Sequence, residues 1–137
     1  MREVLSRSPA ETETLGERLG ERLKPGDIVL LTGELGAGKT TFVRGVARGA
    51  GSVAPVASPT FQLVRIYSGR VQVAHVDLYR IETPVELKDL GLDELADQGA
   101  LLIEWGDRLG APGSALIEIE HLEGDRRLIR TKRDLRH

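Results

Sequence analysis

The sequence predicts an α/β fold, in which one small sheet has parallel strands at its centre, antiparallel strands at its edges and helices packed against it. Three observations support this prediction. Residues 28–50 combine an apolar strand, a glycine-rich turn and a helical segment. Further strand and helix segments then alternate along the chain, and two pairs of alternating segments flank short turns, as in hairpins. The 137 residues suffice for one domain, and we expect a single domain over 1–137.

The first predicted helix begins at residues 8–11, which read Ser-Pro-Ala-Glu, a capping box with proline at the first helical position. Its apolar stripe is formed by Leu15, Leu19 and Leu23, and a Pro-Gly pair at 25–26 ends it. The apolar run at 28–31 is then predicted to be a buried strand.

Residues 33–40 read Gly-Glu-Leu-Gly-Ala-Gly-Lys-Thr and fit the phosphate-loop pattern G-x-x-x-x-G-K-[ST]. Glycines at 33, 36 and 38 allow a tight turn whose N–H groups face the phosphate oxygens of a nucleoside triphosphate. Lys39 adds a positive charge, and Thr40 offers a hydroxyl to Mg²⁺. The helix that follows turns its positive end toward the anion. The buried face of that helix consists of Phe42, Val43, Val46, Ala47 and Ala50, and Gly49 and Gly51 mark its end.

Beyond this unit, residues 52–60 are predicted to be a loop, and residues 61–67 and 71–77 a hairpin. A second capping box at 83–86 indicates a short helix to about residue 90, with a further turn or two at 93–97. Residues 100–103 form the next buried strand, and residues 115–121 and 126–131 a second hairpin.

Composition excludes several classes of protein. A net charge of −2 and a pI near 5.9 disfavour a free-standing nucleic-acid binder, so we expect any RNA partner to be reached through another protein. The chain has no cysteine, which excludes disulfides and thiolate metal sites. The apolar runs are too short to span a bilayer, and the N-terminus lacks the apolar core of a signal peptide. We therefore expect a cytoplasmic protein without a membrane partner.

Two carboxylates follow apolar strands and are candidates for a hydrolytic site. Asp77 occupies the position from which a strand-end aspartate holds a magnesium-bound water, unless it is a solvated residue of a turn. Glu104 is expected at the same edge of the sheet, where it either polarises an attacking water or is an ordinary exposed glutamate.

Three further residues each allow a purely structural interpretation and a functional one. Trp105 is the only tryptophan, and core packing is its default role, with a nucleotide or partner contact as the alternative. Thr60 is either a switch-loop ligand of Mg²⁺ or part of a turn that enters a strand. His75 lies on a strand without a second ligand at metal-binding spacing, which favours a packed histidine over a metal ligand.

Five landmarks in this order resemble the TsaE family, also called YjeE, the bacterial ATPases of tRNA threonylcarbamoyladenosine (t6A) biosynthesis. They are Thr12 with Leu15-Gly16, the phosphate loop to Thr41, Ser58-Pro59-Thr60-Phe61, the segment His75 to Arg80, and Glu104-Trp105. The resemblance implies a P-loop NTPase-like mononucleotide-binding fold extended by antiparallel edge strands. It also implies an ATPase that is weak alone and whose partners are the TsaD and TsaB proteins, with tRNA reached indirectly through that complex. In the family, ATP hydrolysis resets the transferase complex between turnovers.

Matched position by position, the resemblance assigns residues to ATP or ADP and to Mg²⁺. Lys39 and the loop residues Glu34, Leu35, Gly36, Ala37 and Gly38 bind the phosphates, Thr41 contacts the α-phosphate, and Thr12 lies near the nucleoside. Thr40, Thr60, Asp77 and Glu104 are the implied metal-site residues. Glu104, Asp77 and Lys39 are the implied catalytic residues, and Trp105 is paired with Glu104 in hydrolysis and complex function. Arg80 matches a family arginine that holds either phosphate or a partner.

Two rival functions share the phosphate loop. A small-molecule kinase needs an acceptor pocket and usually an arginine-bearing lid, and no insertion here is long enough for a separate lid. A GTP-dependent switch is suggested by residues 131–134, Thr-Lys-Arg-Asp, which fit the guanine-reading pattern [NT]-K-x-D. A GTPase would continue from Asp77 with D-x-x-G, whereas Arg80 occupies the glycine position in this chain. The basic C-terminal hairpin is expected to be a solvated edge, with tRNA or partner contact as the alternative.

Overall fold

The computed structural model describes residues 2–34, 38–52, 64–78, 85, 90–104 and 114–135. Within these residues the chain forms seven strands and three helices of more than one turn. In chain order they are β1 (Arg2–Ser6), α1 (Pro9–Arg22), β2 (Ile28–Thr32), α2 (Lys39–Gly49), β3 (Val64–Tyr67), β4 (Val73–Asp77), α3 (Leu92–Gln98), β5 (Ala100–Glu104), β6 (Ala115–His121) and β7 (Arg127–Arg133). None of the described helices is long and apolar enough to cross a membrane.

All seven strands belong to one sheet, in the order β1-β7-β6-β2-β5-β4-β3. The four central strands β6, β2, β5 and β4 are parallel to one another. At one edge β3 is antiparallel to β4, and at the other β7 and β1 are antiparallel to their neighbours. The predicted fold class is therefore confirmed. Because parallel strands end at the same edge, Thr32, Asp77 and Glu104 all lie where β2, β4 and β5 terminate.

The capping box predicted for α1 is present in modified form. The Ser8 side chain accepts a hydrogen bond from the Glu11 backbone N–H at 3.1 Å, as an N-cap residue does. The Glu11 carboxylate accepts the N–H of Arg7, at 2.6 Å, rather than that of Ser8. Both interactions satisfy backbone donors near the start of the helix, so α1 begins where the sequence predicts.

Helices α1 and α2 pack backbone to backbone through glycines. A Cβ on Gly16 or Gly20 of α1 would collide with the carbonyl oxygen of Phe42 or Val46 in α2. A Cβ on Gly45 or Gly49 of α2 would collide with carbonyl oxygens of α1, those of Glu13 and Glu17. Since contacts advance along both helices in the same direction, the helices are parallel. The N-terminus of α1 therefore lies beside the N-terminus of α2, where the phosphate loop ends.

The sheet separates two apolar cores. On one face α1 and α2 cover buried residues that include Leu19, Leu23, Val29, Leu31, Phe42, Val43, Val46, Val73, Leu102, Ile117 and Ile119. On the other face α3 packs on a second cluster, which contains Leu30, Ala74, Val76, Leu78, Leu101 and Ile103. Successive residues of β2 thus alternate between the cores, as strand geometry requires. Burial of both faces explains why the central strands are almost continuously apolar in sequence.

Two elements differ from the prediction. Strand β1 was not predicted from the sequence, because its five residues carry little apolar alternation and its pairing partner β7 lies at the other end of the chain. The second strand of the first hairpin begins at Val73 rather than at residue 71. The predicted strand residues 61–63 and most of the predicted helix at 83–90 lie outside the described residues. The C-terminal hairpin is confirmed, with β6 and β7 antiparallel.

Candidate functional site

The end of the phosphate loop depends on one glycine. Gly38 precedes α2 with φ +102°, in the left-handed region that glycine adopts without steric cost. This conformation starts α2 directly at Lys39, so Lys39, Thr40 and Thr41 form its first turn. The free N–H groups and positive dipole end of an eleven-residue helix therefore lie at the loop. Leu35, Gly36 and Ala37, predicted to bind phosphate, lie outside the described residues.

Lys39 is buried although it carries a charge, since only 7% of the residue is exposed. Its Nζ donates a hydrogen bond to the carbonyl oxygen of Gly33 at 2.7 Å. The same Nζ lies 3.4 Å from Oε1 of Glu104, which makes an ion pair. A buried ammonium needs such partners, because desolvation of an uncompensated charge costs several kcal/mol, roughly. The lysine of the motif and the predicted catalytic glutamate are therefore in direct contact.

Glu104 is the last residue of β5 and is itself buried. Its register partners are Leu31 on β2 and Asp77 on β4, which confirms that Asp77 and Glu104 share one edge of the sheet. Burial raises the pKa of the Glu104 carboxyl, but the hydrogen bond and attraction of His75, together with those of Lys39, outweigh burial and leave that pKa lowered. Glu104 is therefore not the exposed glutamate of the alternative interpretation, and near neutral pH it is a carboxylate.

His75 is packed, as the sequence favours, and it also contacts the candidate site. The residue is fully buried on β4, and its Nε2 lies 2.7 Å from Oε2 of Glu104. Its register partner on β5 is Leu102, two residues before Glu104, so strand alternation directs His75 and Glu104 to the same face. This contact was missed at the sequence level. It could be predicted only from the strand order, which places His75 on β4 opposite a residue two positions before Glu104 on the adjacent parallel strand β5.

The predicted metal-site residues are partly assembled. Asp77 ends β4 half-buried beside Glu104, and Thr40 is half-buried in the first turn of α2. Hydroxyl and carboxylate oxygens suit Mg²⁺, which usually keeps several waters and takes phosphate oxygens as further ligands. Within the described residues, no group of three or more acidic or imidazole side chains could hold a metal ion by itself. The donor set therefore fits an ion that arrives with a phosphate ligand. Thr60 lies outside the described residues.

Thr12 lies in α1 at the end that faces the phosphate loop. It is buried, and its Oγ1 is 2.7 Å from Oγ of Ser6, the last residue of β1. The structure therefore places Thr12 at the phosphate-loop end of α1, with its hydroxyl engaged by Ser6 of β1. Trp105 and Arg80 lie outside the described residues.

Arg127 is a basic residue at the loop that the sequence interpretation did not single out. It begins β7, and its Nε lies 3.3 Å from the point where a Cβ on Gly38 would stand. One terminal nitrogen donates to the carbonyl oxygens of Gly124 and Arg126. The Nε is buried, and no described residue forms a hydrogen bond with it. At the sequence level Arg127 was one of several basic residues on a hairpin expected to be solvated, and only the sheet order brings it to the phosphate loop.

A cavity of about 590 Å³ adjoins the start of the phosphate loop. It is lined by Thr32, Gly33, Glu34, Glu118, Ile119, Glu120 and His121. Two of its three glutamates are paired with cations, Glu118 with Arg130 and Lys132 and Glu120 with Arg130. Glu34, predicted to bind the nucleotide, is exposed and lines this cavity.

The guanine-reading pattern at 131–134 has a structural use. Asp134 accepts hydrogen bonds from Arg2 at 3.1 Å and from Arg22, in the last turn of α1, at 3.0 Å. Lys132 forms an ion pair with Glu118 at 3.1 Å. The pairing register places residues 131–133 beside residues 116 and 117 of β6, which in turn lie beside Leu30 and Leu31 of β2. Nothing in this geometry favours guanine recognition.

Comparison with known proteins agrees with the geometry. The family described as "Threonylcarbamoyl adenosine biosynthesis protein TsaE" matches residues 6–132. A tRNA threonylcarbamoyladenosine biosynthesis protein TsaE from Rickettsia conorii is 39% identical over 88% of this chain and 72% of its own length. The protein of the same name from Rickettsia typhi is 36% identical over 93% of this chain and 92% of its own length.

A solved structure shares the fold as well. The crystal structure of YdiB from Bacillus subtilis aligns with a TM-score of 0.74 and 32% identity, and covers 93% of this chain and 82% of that chain. Together with the family match over most of the chain, this similarity supports the P-loop NTPase-like fold. The chain belongs to the TsaE family of threonylcarbamoyl adenosine biosynthesis proteins.

Proposed function

We propose that this chain is the Mg²⁺-dependent ATP-binding and ATP-hydrolysing subunit of the bacterial t6A modification machinery, and that hydrolysis resets a TsaD–TsaB transferase complex. The observation that carries the proposal is the buried contact between Lys39 and Glu104 beside the N-terminus of α2. It places an ammonium that can hold phosphate next to a carboxylate that can activate water. The relatives that match this chain are named for the same modification.

Binding of ATP or ADP would use the positive end of α2. The backbone N–H groups of the loop and the first turn of α2 cradle the phosphates, and Lys39 exchanges its contact with Glu104 for a phosphate oxygen. Thr40 presents its hydroxyl to the metal ion, and Thr41 contacts the α-phosphate. Thr12 reaches the nucleoside from the adjacent end of α1, whose parallel packing on α2 supports that role.

Hydrolysis would depend on Glu104. As an ionised carboxylate it would accept a proton from the attacking water, and Asp77 on the neighbouring strand end would hold a Mg²⁺ ion together with Thr40. When bound there, Mg²⁺ would supply positive charge against the phosphate oxygens. Thr60 senses the γ-phosphate, and Trp105 couples the site to the partner proteins.

The same proposal covers the cellular setting. The protein is a weak ATPase alone, acts in the cytoplasm with TsaD and TsaB, and reaches tRNA through them. An acidic chain with net charge −2 supports indirect rather than direct contact with tRNA. A GTP switch is disfavoured because Asp134 is engaged in ion pairs with Arg2 and Arg22.

Nucleotide preference tests this proposal directly. A ligand at 100 times its dissociation constant stabilises a protein by about 2.7 kcal/mol, so thermal unfolding is measured with ATP or GTP, each with Mg²⁺. We expect stabilisation by ATP, a smaller effect of GTP at the same concentration, and none in Lys39→Ala. Arg44→Ala, an exposed position on the same helix, is the control and should respond like the wild type. Equal stabilisation by GTP, or an unchanged ATP response in Lys39→Ala, would contradict the proposal.

A further inference from the structure

His75 is an unusual residue for its place in the sheet. It lies within an otherwise apolar part of β4, between Ala74 and Val76, and no part of it is exposed. Its Nδ1 is buried and has no hydrogen-bond partner among the residues that the structure describes. A buried polar atom without a partner costs about 1–3 kcal/mol. Within the described part of the chain, the 2.7 Å contact with Glu104 is the one polar interaction of the ring that offsets this cost.

The two oxygens of Glu104 have different partners. Oε2 faces His75, whereas Oε1 faces Lys39 at 3.4 Å. Since an ionised carboxylate only accepts hydrogen bonds, the Nε2–H of His75 donates to Oε2. The contact with Lys39 is longer and is shared, because the ammonium also donates to Gly33 at 2.7 Å. The contact with His75 is therefore the shorter of the two, and it comes from a strand of the sheet core.

We propose that His75 is the positioning residue of Glu104: it holds the carboxylate in place when a nucleotide phosphate takes Lys39 away from it. This inference rests on the proposed function, because Lys39 is expected to break its contact with Glu104 only when a nucleotide phosphate binds it. Without His75, loss of the ammonium would leave a buried carboxylate with no fixed partner among the described residues. With His75, Oε2 stays bound and Oε1 becomes available to a water.

The proposal gives the unpartnered Nδ1 a rationale. A histidine that served packing alone could be an aliphatic residue, as its strand neighbours are, at no cost in unsatisfied groups. Sites that break a local packing rule in this way are expected where function requires them. The length of the side chain also matters for the contact with Glu104. The amide nitrogen of glutamine can take the place of Nε2, whereas the side chain of asparagine is one methylene too short.

The test compares His75→Gln with His75→Asn and His75→Leu. Nucleotide dissociation constants are measured by equilibrium binding, and kcat and KM for ATP by phosphate release. A misplacement of about 1 Å can lower a catalytic rate about 100-fold. We expect such a loss of kcat in His75→Asn and His75→Leu, with KM and nucleotide affinity within about threefold of wild type, and substantial recovery of kcat in His75→Gln.

Two outcomes would overturn the proposal: wild-type kcat in a folded His75→Asn, or a parallel loss of kcat and nucleotide affinity in all three variants. If His75→Leu does not fold, the comparison of His75→Asn with His75→Gln tests the proposal, since both variants carry an amide and differ only in side-chain length.

A second measurement separates this inference from the proposed function, because it needs no nucleotide. The hydrogen bond between His75 and Glu104 should give a slowly exchanging, downfield imidazole N–H resonance in ¹H–¹⁵N spectra of the nucleotide-free protein. We expect Lys39→Ala to keep that resonance and Glu104→Ala to lose it. Its absence in the wild type would overturn the positioning role while leaving ATP hydrolysis open to its own test. A wild-type protein that shows the resonance but binds no nucleotide would overturn the proposed function and, with it, the hand-over of Lys39.

Discussion

Glu104 has two carboxylate oxygens, and the folded chain gives each a different partner. His75 holds one and Lys39 lies near the other, so the carboxylate stays ionised in a buried place. The ordinary strand-exit glutamate suggested by spacing alone would be exposed and unpaired. The burial of Glu104 therefore supports the proposed role in hydrolysis and argues against an ordinary exposed glutamate.

Replacement of Glu104 by glutamine should separate binding from hydrolysis. We expect Glu104→Gln to retain nucleotide binding, because Lys39 and the start of α2 are unchanged. We expect it to lose hydrolysis by about 100-fold or more, because a general base contributes roughly 10²–10⁴-fold. Equilibrium binding and phosphate release measure the two effects. Glu3→Gln, which removes the same charge on edge strand β1, is the control and should change neither. Retained turnover in Glu104→Gln would refute its assignment.

At this scale the sequence predicts identities better than contacts. Lys39, Asp77 and Glu104 were predicted from a motif and from strand ends, because a loop pattern and an apolar run are local features. The bond between His75 and Glu104, and the approach of Arg127 to Gly38, were not predicted. Each joins residues more than 25 positions apart, so it depends on strand order rather than on local pattern.

Helices α1 and α2 are joined by four glycines that bring their backbones together. The sequence predicts both helices and their apolar stripes, because leucine and valine recur at helical spacing. It does not predict that glycines form the contact, since a glycine in a helix more often signals its end. The close packing has a functional consequence, because it fixes the N-terminus of α1 beside the phosphate loop.

A methyl group in this helix contact should be costly. We expect Gly45→Ala to destabilise the protein by about 2 kcal/mol or more, because its Cβ would collide with the backbone carbonyl of Glu13, which cannot rotate away. Urea unfolding measures the change. Arg44→Ala, at the preceding exposed position of α2, should be within about 0.5 kcal/mol of wild type. A neutral or stabilising effect of Gly45→Ala would mean that the helices can separate at little cost.

Edge strand β1 shows where local pattern is insufficient. Its residues are mostly exposed, and it forms because β7 offers a free edge, with Arg2 opposite Thr131 and Ser6 opposite Arg127. Because β1 pairs with one strand and most of its side chains are exposed, apolar and polar residues hardly alternate along its sequence. By contrast, β2 and β5 are buried on both faces and are readable from their apolar runs.

Across the whole molecule, ion pairs tie the first strand to the segment that follows the last strand. Asp134 joins β1 and α1 through Arg2 and Arg22, and thus links three segments that are distant in sequence. Burial raises the pKa of Asp134, but the hydrogen bond from the Leu135 backbone and the two arginines outweigh burial and lower that pKa. The two ends of the chain are therefore held by a carboxylate that is stabilised in its ionised form.

The ion pairs of Asp134 predict that the free energy of unfolding decreases as the pH falls. Because the folded-state pKa of Asp134 is lowered, its contribution is present above the unfolded-state pKa and is lost as pH falls through the folded-state value. We expect Asp134→Asn to cost about 0.2–1 kcal/mol at pH 7, as for other partly exposed pairs, and to cost less as the pH is lowered below 4, roughly. Urea unfolding at several pH values measures the difference, and a difference that grows with acidity would contradict the assignment.

The sheet order as a whole was only partly foreseeable. Parallel centre strands and antiparallel edges follow from the alternation of elements and from the two hairpins. The placement of β6 beside β2, which brings the C-terminal hairpin next to the phosphate loop, depends on long-range packing and has no local sequence signal.

The measurement that tests the central claim most directly is ATP and GTP hydrolysis by the purified protein, alone and with TsaD and TsaB from the same organism. We expect weak hydrolysis alone and strong, ATP-selective stimulation by the pair, because the proposed role is to reset their complex. Glu104→Gln should abolish the stimulated rate. Absence of stimulation by a folded, active pair would contradict the claim and leave a nucleotide-binding protein whose hydrolysis serves another end.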